Sequence, residues 1–258
     1  MSTLALAVKM ESVRDLAVII LAAGKGVRMR SDLPKVFHEI MGEPMLSYVL
    51  ETVKKLAPAK TLVVVGHMRE LIMDYYKDWP VEFVFQAEQK GTGHAVVQAE
   101  PNLKGFSGQV LVLAGDVPLL QERTLRALIE FHLQKKAAVT DLTAELPDAG
   151  SYGRIIRQEN GELLKIVEKK DATPEQLLIK EFNTGTFCFE KEALFAALKE
   201  VRADNSQKEY YLTDTVEILR KKGRPVFAFL TKDTDDTLGI NTREELVAIE
   251  KKLLRKNH

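Results

Sequence analysis

An α/β fold built on a doubly wound, mostly parallel sheet with a smaller β-rich lobe is predicted by three features of the sequence. Apolar, β-branched runs alternate with helical patterns through residues 16–136. The strand runs are continuously hydrophobic, which requires burial on both faces, and β-α-β alternation with covered faces implies parallel strands joined by right-handed crossovers. After Lys136 the long helices lapse and short strands follow one another, which marks a second architectural zone. The plan is Rossmann-like.

Strands are expected at 16–22, 61–65, 81–86 and 110–114, and helices at 45–56, 68–77, 92–99 and 122–136. Residues 138–145, 154–158 and 163–167 read as further strands, the last two joined through Glu159-Asn160-Gly161. Asn-Gly between apolar alternations is a strong hairpin signal. The sheet resumes at 181–189, helices follow at 191–200 and 212–222, a late strand at 225–230 and a closing helix at 243–256. No repeat, low-complexity stretch or linker interrupts 16–258, so one domain in two lobes is expected, 16–136 and 137–240, preceded by a tail at 1–15.

The charge balance excludes several partners. With 37 basic and 37 acidic residues in 258 the net charge is zero, so no long-range field recruits a nucleic acid polymer or an anionic membrane, and any phosphate site must be local. No apolar run approaches the ~20 residues that span a bilayer. The short run 4–8 has no basic residue before it and is wrongly flanked for a signal peptide. The single cysteine, Cys188, lies in an apolar alternation without a basic neighbour, which reads as a packed thiol in a reducing cytoplasm. Whether the chain forms a homo-oligomer is left open by the sequence.

In open parallel sheets ligands gather beyond the carboxyl ends of the strands, and three of those ends are unusual here. The first carries Gly24-Lys25-Gly26-Val27-Arg28 and then Pro34-Lys35. Glycines let a backbone approach a polyphosphate and turn its N–H groups toward it, while Arg28 and Lys35 offer charge-assisted hydrogen bonds. The segment is not a Walker A loop, and Met29 stands where a dinucleotide fingerprint needs its third glycine. By itself it is equally a tight basic turn. The third strand ends in Gln86-Ala87-Glu88-Gln89-Lys90-Gly91-Thr92-Gly93-His94, and the fourth in Ala114-Gly115-Asp116-Val117-Pro118.

These motifs, with Leu21-Ala22-Ala23, Tyr152-Gly153-Arg154, Val167-Glu168, Asn183-Thr184-Gly185, Tyr210-Tyr211-Leu212-Thr213-Asp214 and Gly239-Ile240-Asn241, occur in one order along the chain. Together they resemble the uridylyltransferase domain of the bacterial bifunctional N-acetylglucosamine-1-phosphate uridylyltransferase/glucosamine-1-phosphate acetyltransferases. The resemblance runs from about Leu16 to the closing helix. It implies a nucleotide-diphospho-sugar transferase fold, with a nucleotide-binding lobe first and a sugar-binding lobe second. It also implies Mg²⁺, UTP and N-acetylglucosamine 1-phosphate as cofactor and substrates, and UDP-N-acetylglucosamine for cell-envelope precursors as product.

The same resemblance distributes the roles. Arg28 and Lys35 would act on the triphosphate. Leu21, Ala22, Ala23, Gly24, Gly26, Gln86, Gln89, Gly91 and Thr92 would hold the nucleotide, and Gln86 offers a donor and an acceptor to a pyrimidine edge. Asp116 and Asn241 would ligate the metal, a hard oxygen pair that leaves Mg²⁺ its waters. Gly153, Glu168, Asn183 and Thr184 would take the sugar. Two alternatives stay open: Asn241 as the N-cap of the helix that follows, and Glu168 as part of the charged run Glu168-Lys169-Lys170-Asp171. His38, His67 and His132 read as structural or surface residues, and His94 as helix-start scaffolding.

The chain departs from the family in two places. Val27 stands where the family's loop has threonine, and no hexapeptide β-helix follows Asn241, so acetyltransferase activity is not expected. The rival readings are another sugar-1-phosphate nucleotidyltransferase, using glucose 1-phosphate or a different base, and a non-catalytic sugar-nucleotide sensor. The sensor is disfavoured by the presence of Lys35, Asp116 and Asn241 together.

Overall fold

The computed structural model describes residues 15–256, so all of the expected tail except Asp15 lies outside the described residues. Strand β1 (Leu16–Ala22) is followed by a two-residue ribbon, β2 (Glu39–Ile40) and β3 (Glu43–Pro44), and by helix α1 (Met45–Leu56). Then come β4 (Lys60–Val65), α2 (Arg69–Tyr75), β5 (Glu82–Phe85), α3 (Thr92–Val97), β6 (Gln109–Ala114) and α4 (Glu122–Gln134). The second half holds β7 (Val139–Glu145), β8 (Arg154–Arg157), β9 (Leu163–Val167), α5 (Pro174–Leu177) and β10 (Glu181–Glu190). It ends with α6 (Lys191–Leu198), α7 (Asp214–Lys221), β11 (Val226–Leu230) and α8 (Arg243–Lys256).

The sheet order is β11-β7-β10-β6-β1-β4-β5. β1 pairs in parallel with β4 and β6, β4 with β5, and β11 with β7. β10 is inserted antiparallel between β6 and β7, and the β8–β9 hairpin hangs from its start through Phe182 opposite Arg154. This reversal positions the site. A strand running against its neighbours begins at the edge where they end, so Asn183 and Thr184 arrive beside the termini of β6 and β7.

Both faces of the sheet are covered, as the continuous hydrophobicity of β1 requires. Ala17 and Ile19 face a core built with Ala95, Val96, Leu194, Leu198, Leu212 and Val216, whereas Val18 and Ile20 face α1, α2 and α4 through Leu46, Leu50, Ile72, Leu125 and Leu128. Every one of these side chains is at most 6% exposed. At about 25 cal/mol per Å² of buried apolar surface, this two-faced burial is the main source of stability.

Several expected elements are shorter than their apolar patterns. The 68–77 helix begins after Met68, which sits at φ 49 as its N-cap, and ends at Tyr75. The 92–99, 191–200 and 212–222 helices likewise lose end residues to turns. The 159–161 turn is not a two-residue hairpin. Arg157 pairs with Leu163, the loop closes with Gln158 N donating to Glu162 O (2.8 Å), and Gly161 supplies the left-handed residue at φ 84. The β2–β3 ribbon and the capped turn α5 carry too few residues to show a period. Among the described residues no helix is long and apolar enough to cross a membrane.

The structural readings of Cys188 and three histidines agree with their environments. Cys188 is fully buried and burial pushes its thiol pKa up. His132 is buried between Thr140 and Gln109 at 2.9 and 2.8 Å, and desolvation lowers its pKa to about 4. His67 lies on the Asp32 carbonyl (3.2 Å), and burial depresses His38.

Candidate active site

The glycine loop leaves β1 and folds back as a turn of 3₁₀ helix, Val27–Met29, pinned by the fully buried Met29. Gly26 is at φ 65, and a Cβ there would stand 2.6 Å from Lys35 Cβ. Only glycine therefore lets the turn lie against Lys35, which a second short turn, Lys35–Phe37, presents from behind Pro34.

Four polar side chains converge there from separate parts of the chain. Lys35 Nζ donates to Asp116 Oδ2 and to Asn241 Oδ1 (2.6 Å), and Arg28 Nη2 donates to the same Asn241 oxygen (2.8 Å). Asp116 stands one residue beyond Gly115 at the end of β6. The 239–241 segment is held by backbone contacts: Ile240 N donates to Asp116 O (3.0 Å), and Gly239 N to the Tyr152 hydroxyl (2.8 Å). Helix α8 is capped by Thr242, whose Oγ1 accepts from Glu245 N (3.2 Å), while Glu245 Oε2 accepts from Asn241 N and Thr242 N. The Asn241 side chain is thus not the cap and points at Lys35.

A carboxylate and an amide oxygen bonded to one ammonium nitrogen are close enough to share a single cation. Hard, neutral-plus-anionic oxygen donors suit Mg²⁺. No group of three or more His, Cys, Asp or Glu able to hold a metal occurs among the described residues, so a bound ion would draw its other ligands from phosphate and water.

Beside this cluster lies a cavity of about 300 Å³ lined by Leu21, Ala23, Gly24, Lys35, Gln86, Gln89, Gly91, Thr92 and Asp116, with Val36, Ala95, Ala114 and Glu209. Seven of the nine expected nucleotide residues share it. Gly26 lies behind Lys35, and the Ala22 side chain is turned into the α1-side core at 1% exposure, because alternation along β1 sends neighbouring residues to opposite faces. Gly91 sits at φ 109 with the Tyr210 carbonyl 2.6 Å from where a Cβ would be, so the backbone threads between the cavity and the 209–211 segment. Gln86 Nε2 donates to Gly91 O (3.3 Å). Among the described residues neither Gln86 Oε1 nor the Gly91 N–H is hydrogen-bonded within the protein, and both residues line the cavity.

On the other side of the strand ends, Gly153 and Glu168 are adjacent, the Glu168 carboxylate oxygens 3.4 and 3.5 Å from the position of a Gly153 Cβ. Glu168 accepts from Thr213 Oγ1 (3.1 Å) and is half-buried, not part of a solvated run. Burial first, then Asp214, Asp171 and Glu209, raise its pKa against the Thr213 hydrogen bond. Asn183 Oδ1 accepts from Gly185 N (2.8 Å) at a bulge in β10, and Thr184 Oγ1 donates to Leu142 O (2.7 Å). The Thr184 hydroxyl is thereby committed to the fold.

Sequence reasoning missed Glu209, Thr213, Tyr152 and Arg154 as site builders. Arg154 is 2% exposed and donates to the carbonyls of Tyr152, Gly150 (3.3 Å) and Ala149 (3.4 Å), clasping the 149–152 loop. Three of these four lie inside motifs already singled out, where a rigid loop beside a ligand needs a scaffold of its own.

Residues 18–214 match the MobA-like NTP transferase domain. Over 238 residues the chain is 49% identical to the bifunctional protein GlmU of Streptococcus gordonii, covering 92% of this chain and 52% of that one. The GlmU of Streptococcus suis is 50% identical over 232 residues, covering 90% and 50%. The chain therefore spans about half the length of the curated relatives it matches. Among solved structures, UDP-glucose pyrophosphorylase complexed with UDP-glucose superposes with a TM-score of 0.73 at 19% identity, covering 93% of this chain and 98% of that one. HddC from Yersinia pseudotuberculosis complexed with GMP-PN gives 0.68 at 22%, covering 92% and 99%. At those identities the two structures speak for the fold.

Proposed function

The chain belongs to the MobA-like NTP transferase family, and on that premise we propose that it transfers UMP from UTP to N-acetylglucosamine 1-phosphate, releasing pyrophosphate. The observation that carries this reading is the joint hold of Lys35 on Asp116 and Asn241 beside a cavity in which Gln86 Oε1 and the Gly91 N–H are among the polar groups not bonded within the protein. An acceptor next to a donor matches the N3–H and carbonyl of uracil; with the ribose end of the base held in one place, cytosine would present these two positions in the reverse order, an acceptor at N3 and a donor at C4. Guanine shares uracil's pattern but is a larger base. The likeness to the streptococcal bifunctional GlmU proteins supports the uridylyltransferase reading.

In the reaction, a phosphate oxygen of the sugar 1-phosphate attacks the α-phosphorus of UTP in line and the bond to the β-phosphate oxygen breaks. A phosphate monoester is largely dianionic near neutral pH, with a second pKa of about 6, so no protein base is required. Arg28, Lys35 and the loop N–H groups offset charge on the triphosphate and on the leaving pyrophosphate. Asp116 and Asn241 would hold Mg²⁺, which supplies charge stabilisation at the phosphoryl oxygens. Glu168, Gly153 and Asn183 would bind and orient the acceptor sugar, which converts a bimolecular encounter into a positioned one.

Pyrophosphate release measured across the four nucleoside triphosphates and a set of sugar 1-phosphates, with and without Mg²⁺, tests the proposal. UTP with N-acetylglucosamine 1-phosphate should give the highest kcat/KM. A stronger signal with glucose 1-phosphate would move the chain to a neighbouring specificity, and silence with every pair would remove the activity.

A further inference from the structure

One motif residue remains without a role in that chemistry, and it touches the residue that reads the base. His94 lies on α3, half-buried, with its Nδ1 3.0 Å from Gln86 Nε2. Gln86 is 3% exposed, so its side-chain amide has little freedom. Which end of that amide faces the cavity decides whether the pocket presents an acceptor or a pair of donors.

The Gly91 carbonyl resolves the orientation. It can only accept, and it lies 3.3 Å from the Gln86 terminus that also meets His94. An oxygen at that terminus would set two lone pairs against each other, so the NH₂ group belongs there and Oε1 opens on the cavity. The second hydrogen of that NH₂ then needs an acceptor, and the imidazole Nδ1 is the one within reach. His94 must accordingly be neutral with its proton on Nε2. Gln98 Nε2 donates to His94 O (3.1 Å) and lies 3.4 Å from the ring Nε2, so both ring nitrogens face an amide NH₂. The one imidazole lone pair belongs at Nδ1, where the contact is shorter (3.0 Å) and the Gln86 hydrogen has no other acceptor, whereas Gln98 is served by the carbonyl. Burial, with Lys90 nearby, lowers the His94 pKa against the opposing influence of Glu88.

We infer that His94 is a specificity-positioning residue, whose unprotonated Nδ1 fixes the amide of Gln86 so that an acceptor faces the base. The inference rests on the reading of this cavity as a uracil pocket. Without that acceptor at Nδ1, the Gln86 amide is held only by the longer Gly91 contact and gains access to the flipped state, which offers donors to the N3 of cytosine. The effect belongs to discrimination between bases more than to chemistry, because His94 does not face the phosphate cluster.

Two variants and one spectroscopic measurement test this. His94→Leu keeps the bulk and removes the acceptor, whereas His94→Asn can return an oxygen near the Nδ1 position. The UTP-over-CTP ratio of kcat/KM should fall at least about tenfold in His94→Leu, the size of one well-placed hydrogen bond, mainly through the KM for UTP. His94→Asn should recover most of it. ¹⁵N NMR of the unaltered protein should show His94 Nδ1 as the unprotonated nitrogen, a readout that needs neither a variant nor turnover. Unchanged discrimination in a folded His94→Leu, or a proton on Nδ1, overturns the inference. If the unaltered enzyme did not prefer UTP to CTP at all, the uracil reading would fail by itself and the tautomer would decide the role of His94 alone.

Discussion

The two sides of the site are built on opposite principles. On the side proposed for the nucleotide, Arg28, Lys35, Asp116 and Asn241 come from four segments and satisfy one another at the open edge of the sheet. On the side proposed for the acceptor, Arg154, Asn183 and Thr184 are buried, and Arg154, Thr184 and the Asn183 Oδ1 bond to the backbone around them, leaving the Asn183 Nδ2 unengaged among the described residues. The first is a set of charges whose partners can be exchanged for phosphate and metal. The second is a fixed frame in which few groups, chiefly Glu168, the Asn183 Nδ2 and the Gly153 backbone, are left to meet a ligand. A reaction that must stabilise moving charge at one end and hold a neutral sugar still at the other calls for that division.

The largest expected effect comes from breaking the exchangeable side. Lys35→Ala should lower kcat by roughly 10²–10³-fold, the cost of removing one preorganised donor to transition-state charge, while Arg28→Ala should act in the same direction. Because the Lys35 and Asp116 side chains are only 15% and 19% exposed, losing Lys35 leaves the carboxylate without its partner and should also lower the melting temperature, so turnover is compared on the folded variant. A Lys35→Ala enzyme with normal turnover, measured by pyrophosphate release, would show that the cluster is structural and erase the contrast between the two sides.

The contrast also marks what sequence could and could not reveal. Strand runs such as 16–22 and the residues at their ends were readable, because continuous hydrophobicity and the strand-end rule are local signals. The antiparallel insertion of β10 was not, since an apolar alternation such as 186–189 reports burial without direction. For the same reason Ala22 was grouped with a nucleotide loop although its side chain joins the core. Lys35 meets Asp116 and Asn241 across 81 and 206 residues of sequence, and no spacing rule spans that distance. Glu209 was hidden because a lone glutamate before Tyr210 carries no pattern of its own; only the close passage of Gly91 against the 209–211 segment brings it to the cavity.

A medium effect is expected from the fixed side. Asp141, on β7, is fully buried with neither carboxylate oxygen hydrogen-bonded. Desolvation first, then Glu181 and Glu168, drive its pKa well above the ordinary aspartate range, and Arg157 offsets only part of this. The folded state thus binds the Asp141 proton more tightly than the unfolded chain. Its contribution is fully present below the unfolded pKa of about 3.9 and is lost as pH rises through the folded value, so stability falls with rising pH. Asp141→Asn removes that slope. At pH 8 it should be more stable than the parent by roughly 1–3 kcal/mol, and near pH 4.5 the two should converge in urea unfolding. Parallel pH profiles would mean the carboxyl finds a partner, and that the frame is less dry than its burial implies.

The smallest effect should come from Val27, the loop position where the family resemblance implies a threonine. Its side chain is 82% exposed on the outer face of the 3₁₀ turn, away from the residues lining the nucleotide cavity. It borders instead a separate surface hollow formed with Arg28, Arg30, Thr242 and Arg243. From there a threonine hydroxyl would meet solvent, so Val27→Thr should change kcat/KM for UTP by no more than about twofold and stability by less than about 0.5 kcal/mol. The loop's other partners argue for the same outcome, since Met29 anchors the turn in the core and Arg243 holds the Met29 and Arg30 carbonyls at 3.0 and 3.2 Å. A tenfold fall in the KM for UTP would contradict this. It would require the turn to roll inward when nucleotide arrives, carrying position 27 onto the phosphates and making the loop itself part of the exchangeable side.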